Sequence, residues 1–306
     1  MQPLVSVVIP TFKRSDVLSR SIDSVLAQTY SNYEIIVVDD NNPDSDERKK
    51  TENVMRVYAD QHKIKYIKHS KNRNGSAARN TGIKASSGKY IMFLDDDDEF
   101  CPVKIYSQVE KMESLDSSYG ACYTKYVDVS NEGKIVSTCA ENREGMLYVE
   151  ELKRNLFIHA GSNIMVRKSV VNELNGFDES FNRNQDVEFM VRLLLKYKLA
   201  YVDELGLKVH VHKPVNTTRF EDATKLFLDK FSAIIKSLQV DEQNQIYRMI
   251  NLQLFRYRIL EKGYRTKAIR MIFEREVCLI EAFCYAAHLA RRKITKKSYG
   301  YRNYLY

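Results

Sequence analysis

Two short runs of apolar, mostly β-branched residues stop abruptly against carboxylates. Glu34-Ile35-Ile36-Val37-Val38 runs into Asp39-Asp40, and Tyr90-Ile91-Met92-Phe93-Leu94 runs into Asp95-Asp96-Asp97-Asp98. A near-continuous apolar run of that length fits a strand buried on both faces, the pattern of a parallel sheet covered by helices. Leu4-Val5-Ser6-Val7-Val8-Ile9, ended by Pro10, is a third such run, and Lys65-Tyr66-Ile67-Lys68 a shorter one. Helical signals lie between them. Leu18, Ile22, Val25 and Leu26 follow a capping Ser15, residues 46–61 form a polar helix pattern, and residues 76–86 are rich in Ala. The alternation predicts an α/β fold with a mostly parallel central sheet flanked by helices. Ligands of such sheets bind beyond the carboxyl ends of the strands, where both acidic clusters lie.

Further along, helix patterns near 102–115 and 186–197 mix with short strands near 119–129, 163–166 and 200–211. From 221 onward the pattern is helical, with three apolar stripes: Leu226, Phe227, Phe231, Ile234 and Ile235; then Ile246, Met249, Ile250 and Leu254; then Ile269, Ile272, Phe273, Val277 and Ile280. Charge marks the same boundary. The chain carries a net +8, and residues 221–306 hold 17 Lys and Arg against 9 Asp and Glu, so the first 220 residues are neutral. A chain of 306 residues that is 44% hydrophobic has ample material for a core, which excludes wholesale disorder. No apolar stretch reaches the length of a spanning helix. The start Met1-Gln2-Pro3-Leu4 lacks the pattern of a secretory signal. Five cysteines without a CxxC pair argue against a disulfide framework or a zinc site and point to a reducing cytosol.

Four adjacent carboxylates, Asp95 to Asp98, read either as a solvated acidic loop or as a metal site. A buried strand delivering them to a ligand-binding edge favours the second reading. Alternate carboxylates on an extended loop can share one hard cation, Mn2+ or Mg2+, which also takes substrate phosphates. Asp39 and Asp40 read as a turn, or as acceptors for a ribose or a base N–H. Asn74-Gly75-Ser76-Ala77-Ala78-Arg79 opens a helix with small residues, so backbone N–H groups can approach an anion, and Arg79 can reach phosphate or pair with the acids. The plainer reading of that stretch is close helix–strand packing.

Val7-Val8-Ile9-Pro10-Thr11-Phe12, Val38-Asp39-Asp40, Ala78-Arg79-Asn80-Thr81-Gly82 and Gly88-Lys89-Tyr90 through Asp98, in that order and spacing, resemble the family-2 inverting glycosyltransferases. Gly176-Phe177-Asp178-Glu179 and Asn184-Gln185-Asp186-Val187-Glu188 look like the family's acceptor-side motifs. The resemblance spans roughly residues 3 to 215. It implies a GT-A fold over residues 1–220, with a nucleotide-binding half at 1–100 and an acceptor-binding half at 101–220; the basic helical region at 221–306 rests on charge and periodicity and carries no motif of the family. The resemblance implies a nucleotide-sugar donor, UDP-linked, held by Pro10, Thr11, Asp39, Asp40, Asn74, Gly75, Arg79, Asp95 and Asp96. Asp95 and Asp97 would hold the metal, with His212 beside the diphosphate as a further ligand. Asp186 is similar to the catalytic base, although Gln185 stands where the family usually has Glu. Gly161, Ser162 and Gln185 would meet the acceptor, and His159 is placed near them.

The acceptor implied is a glycan or a lipid-linked sugar in cell-surface polysaccharide synthesis. The basic helices of the tail carry Phe255-Arg256-Tyr257-Arg258 and Arg291-Arg292-Lys293, a composition suited to an anionic membrane surface at the inner face of the cell membrane. A solvated helical subdomain and a homo-oligomer contact are the alternatives; no nucleic-acid motif is present. Two other functions compete. A nucleotidyltransferase would place a Gly-rich loop where Pro10-Thr11-Phe12 stands, and an inactive sugar-nucleotide-binding protein has only Gln185 in its favour.

Overall fold

The computed structural model describes residues 2–130, 132–211 and 216–302. It divides into two compact units, Met1–Leu147 with Ile158–Val211 and Tyr148–Phe157 with His212–Tyr306. The segment 148–157 therefore joins the second unit.

The first unit alternates strand and helix from its start: β1 (Val5–Thr11), α1 (Leu18–Leu26), β2 (Tyr33–Asp39), α2 (Asp46–Arg56), β3 (Ile64–Lys68), α3 (Gly75–Ala85) and β4 (Tyr90–Phe93). The four strands pair in parallel in the order β3-β2-β1-β4. β1, β2 and β4 are buried almost throughout, which is why their sequences run apolar instead of alternating. The register sets Thr11 beside Asp39, so both strands reach the same edge together. Leu94 continues from β4 and donates its N–H to the Val8 carbonyl at 3.0 Å, which brings the acidic run to that edge as well.

Beyond β4 the sheet becomes mixed. The next elements are β5 (Glu99–Phe100), α4 (Lys104–Ser114), β6 (Tyr119–Val129) and β7 (Ile135–Cys139). After α5 (Tyr148–Leu152), which belongs to the second unit, come α6 (Ala160–Asn163), β8 (Met165–Arg167), α7 (Lys168–Glu173), α8 (Gln185–Leu194) and β9 (Lys198–His210). β8 lies antiparallel between β4 and β6, while β9 runs parallel to β6 and antiparallel to β5.

Local differences from the sequence reading have local causes. Ser15 does not cap α1: residues 14–17 form a turn in which the Arg14 carbonyl accepts from Val17 and Leu18, and the helix starts after it. Ser45 caps α2, accepting from the Arg48 N–H, and that helix ends at Arg56 instead of near 61. The β6–β7 hairpin was not foreseen, because β7 is largely exposed and carries no buried pattern.

The second unit adds α9 (Thr217–Ser237), α10 (Val240–Leu260), α11 (Arg265–Phe273) and α12 (Leu279–Thr295). Phe227, Phe231 and Ile235 of the first stripe and Ile246, Met249 and Ile250 of the second are interior. The third stripe is corrected. α11 stops at Phe273, Arg275 turns the chain at φ 59°, and Val277 is buried while Phe273 is 82% and Ile280 64% exposed. No helix among the described residues is long and apolar enough to cross a membrane. The five cysteines are free.

Candidate active site

A cleft of about 500 Å³ opens at the carboxyl edge of β1, β2 and β4. Pro10, Thr11, Asp40, Asn74, Gly75, Arg79 and the first three aspartates of the acidic run line it. These are residues from separate stretches of sequence, brought together because parallel strands end on one side. Asp39 is the exception. Its carboxylate turns inward, where it pairs with Arg48 at 3.0 Å and accepts from Tyr66 Oη at 2.6 Å and the Asn41 backbone N–H at 2.9 Å. Asp40 organises the loop instead. It accepts from the backbone N–H groups of Arg73 and Asn74 at 2.8 and 2.9 Å and from Asn72 Nδ2 at 2.8 Å, and it lies 2.7 Å from His69 Nδ1. Asn74 caps α3, accepting from the Ala77 N–H at a φ of 86°.

The acidic run is interlocked with the chain around it. Asp95 pairs with Arg79, and Asp97 with Arg14. Asp98 Oδ2 lies 3.2 Å from His159 Nε2, and Asp98 Oδ1 accepts the His210 N–H at 3.1 Å. Burial pushes the Asp95 carboxyl up, against the pull of Arg79. Burial also lifts Asp96, helped by the charges of Asp97 and Asp95, to about 8. Burial works against the Asp98 carboxylate too, but His159 and Ser162 hold it below the usual range. Desolvation disfavours the His159 cation, yet Asp98, Asp95 and Asp186 raise it to about 9.

Oxygen atoms of Asp95 and Asp98 and a ring nitrogen of His159 come within 4.8 Å of one another. The two carboxylates of that set suit a hard cation such as Mn2+ or Mg2+. The set shares Asp95 with the pair expected from the sequence, while Asp97 faces the cleft on Arg14. His212, the other expected ligand, lies outside the described residues. Gly161 and Ser162 support the run: Ser162 Oγ accepts the Asp95 N–H at 3.0 Å, and a Cβ on Gly161 would stand 3.1 Å from Asp95 Oδ2.

Asp186 sits in the first turn of α8 and its charge reaches His159. α3 and the loop before α8 are tied together. Asn80 exchanges hydrogen bonds with the Phe177 backbone at 2.8 and 2.9 Å, Asn74 Nδ2 donates to the Glu179 carbonyl at 2.9 Å, and Ser76 donates to the Phe181 carbonyl at 2.9 Å. Gln185 joins this contact, accepting from Arg79 and donating to the Phe181 carbonyl at 3.3 Å. Glu188, the next acid on α8, is wholly buried and forked onto Arg192 at 2.6 and 2.7 Å.

Sequence reasoning missed Arg14, His69 and Asn72. His69 directly follows β3, and Arg14 lies in the turn after β1, both at the same edge as the acids, and that position was the available signal. A groove of about 680 Å³ between α4 and Tyr201–Glu204 of β9 contains none of the expected site residues.

The model of glycosyl transferase family 2 matches residues 6–174. An uncharacterised glycosyltransferase of Rickettsia felis is 28% identical over 78% of this chain, and the chain spans 39% of that relative's length. The UDP-Glc:α-D-GlcNAc-diphosphoundecaprenol β-1,3-glucosyltransferase WfgD of Escherichia coli is 34% identical over 44% of this chain and 51% of its own length. The solved structure of the mannosyltransferase PcManGT from Pyrobaculum calidifontis, in complex with GDP-Man and Mn2+, matches with a TM-score of 0.61 at 16% identity, covering 95% of this chain and 81% of that one.

Proposed function

The chain belongs to glycosyl transferase family 2, and from that premise we propose that it transfers a sugar, with inversion, from a UDP-linked donor to a hydroxyl of a glycan or lipid-linked acceptor. Its fold is of the GT-A type. The observation that carries the proposal is the convergence of Asp186 and the acidic run around His159, on elements locked together through α3. The names of the E. coli and Pyrobaculum proteins support a nucleotide-sugar donor, a lipid-diphosphate-type acceptor and a divalent cation.

Thr11, Asp40 and the Asn74–Gly75 turn hold the nucleoside, and the N-terminus of α3 faces the diphosphate. Asp95, with Asp97 or with Asp98 and His159, would hold Mn2+ or Mg2+, which supplies positive charge to the leaving diphosphate. Asp186 accepts the acceptor hydroxyl proton. The hydroxyl oxygen then bonds to the anomeric carbon as the carbon–phosphate oxygen bond breaks, and the nucleoside diphosphate leaves with the electron pair. No nucleophilic side chain is needed. The basic residues of 221–306 would hold the enzyme at the inner face of a membrane, in cell-surface polysaccharide synthesis.

Incubation with a panel of nucleotide sugars and Mn2+ tests the proposal. Release of free nucleoside diphosphate is expected; release of pyrophosphate would indicate nucleotidyl transfer instead. Asp186→Asn should lose about 100- to 10,000-fold in turnover while keeping donor affinity. Turnover within threefold of wild type would remove Asp186 from the role.

A further inference from the structure

Three charged side chains of the acidic run already have cationic or imidazole neighbours within the chain: Asp95 has Arg79, Asp97 has Arg14 and Asp98 has His159. These partners differ in how readily they can move. The Arg79 side chain is 6% exposed, and its guanidinium also donates to the Gly75 carbonyl at 3.3 Å. His159 sits at the entrance to α6 with its backbone in the left-handed region, and its ring lies 5.7 Å from that of Tyr126. Arg14 is 40% exposed. Its backbone is pinned, because Lys13 at φ 60° donates its N–H to Asn41 Oδ1 at 3.0 Å and the Arg14 carbonyl accepts the N–H groups of Val17 and Leu18. The side chain above that fixed turn lines the cleft, as does Asp97.

We propose that Arg14 is an exchangeable counter-ion, which holds Asp97, yields it to a divalent cation, and then pairs with the diphosphate of the nucleotide sugar. The proposal rests on the reading of the cleft as a cation-dependent donor site. A guanidinium does not lose its proton at accessible pH, so it cannot escape the repulsion of an arriving cation by becoming neutral. It has to move, and the exposed side chain has room to do so. A diphosphate arriving with the cation offers the oxygen pairs that a guanidinium fork matches best. The exchange keeps the acidic run from repelling an anionic donor and keeps charge in the cleft balanced before and after binding.

The test titrates the full chain with Mn2+ alone, read by the electron paramagnetic resonance of free Mn2+, and then with UDP at saturating Mn2+, read by calorimetry. Arg14→Gln is expected to bind Mn2+ about tenfold more tightly and UDP about tenfold more weakly than wild type, the size of one charged hydrogen-bonded contact. Arg14→Lys, which keeps the charge and loses the fork, should fall between. Arg20→Gln is the control. Arg20 donates to the Asp97 carbonyl at 2.7 Å and not to its carboxylate, so its loss should leave Mn2+ affinity within twofold. Unchanged or weaker Mn2+ binding in Arg14→Gln overturns the inference, and so does equal tightening in Arg20→Gln, which would be a general field effect. A wild-type chain that binds Mn2+ and UDP while Arg14→Gln behaves identically defeats the inference and leaves the functional reading intact. A wild-type chain that binds neither overturns both.

Discussion

Asp39 and Asp40 are neighbours in sequence with the same side chain and opposite situations. Successive residues of an extended chain face opposite ways, so Asp39 meets Arg48 and Tyr66 inside the fold while Asp40 turns to the loop that builds the cleft. The acidic run repeats the lesson: its members differ by their neighbours, not by their chemistry. Asp97→Ala is expected to abolish the Mn2+ dependence of UDP binding in calorimetry, since a cation held there would lose a principal anion. Retained Mn2+-dependent affinity would assign the cation to Asp95, Asp98 and His159 instead. The strand ends that deliver these residues were legible from apolar runs stopping at carboxylates. The inward turn of Asp39 was not, because it depends on Arg48 and Tyr66, which no local pattern links to it.

At the scale of elements, the glycine that ends the Ala78–Gly82 motif serves packing. Gly82 of α3 rests on β1 so closely that a Cβ there would lie 2.2 Å from Val8 Cγ1. Gly82→Ala is expected to cost about 1–3 kcal/mol by overpacking, seen as a lower melting temperature, with the ligand residues of the cleft unchanged in identity. An unaltered melt would mean that α3 can shift freely off the sheet. α4 contributes Lys104, wholly buried, whose Nζ lies 2.6 Å from Asn163 Oδ1 and 3.0 Å from Thr124 Oγ1. Burial lowers its pKa from 10.5 to about 7. Below pH 7 this lysine is charged in folded and unfolded chains alike, and the cost of burying the charge is full. Between 7 and 10.5 the unfolded chain binds the extra proton, so stability rises with pH. In denaturant titrations, wild type should therefore gain on Lys104→Met as pH increases from 7 to 10. A constant difference across that range would show that Lys104 keeps its ordinary pKa. Nothing in the sequence marks Lys104 as interior; its place on the buried side of α4 comes from the helix docking against β6 and β9.

Across the whole molecule, charge and apolar exposure coincide in the second unit. Residues 262–297 hold ten Lys and Arg against three Glu, a net +7 of the chain's +8. The same stretch exposes Phe273 at 82% and Phe283 at 74%. Basic residues beside exposed aromatics suit an anionic lipid surface, each charge contributing on the order of 1 kcal/mol and weakening with salt. The full chain is expected to co-sediment with phosphatidylglycerol vesicles at low salt and to release at high salt. Phe273→Ala with Phe283→Ala should weaken that binding severalfold without changing the melting temperature, because both rings are outside the core. No sedimentation of wild type with anionic vesicles would leave this surface to a protein partner or to solvent.

The sequence by itself determined the parallel strands, the edge at which they end, the family and the concentration of positive charge in the last helices. These follow from local pattern: apolar runs, the carboxylates that terminate them, and composition along the chain. Only the tertiary structure decided which partner each acid has. Arg14 lies 83 positions from Asp97, and His159 lies 61 from Asp98. Such pairs form because parallel β1 and β4 end at one sheet edge and antiparallel β8 begins there. Electrostatic partnership falls off with distance in space, and separation along the chain does not enter it.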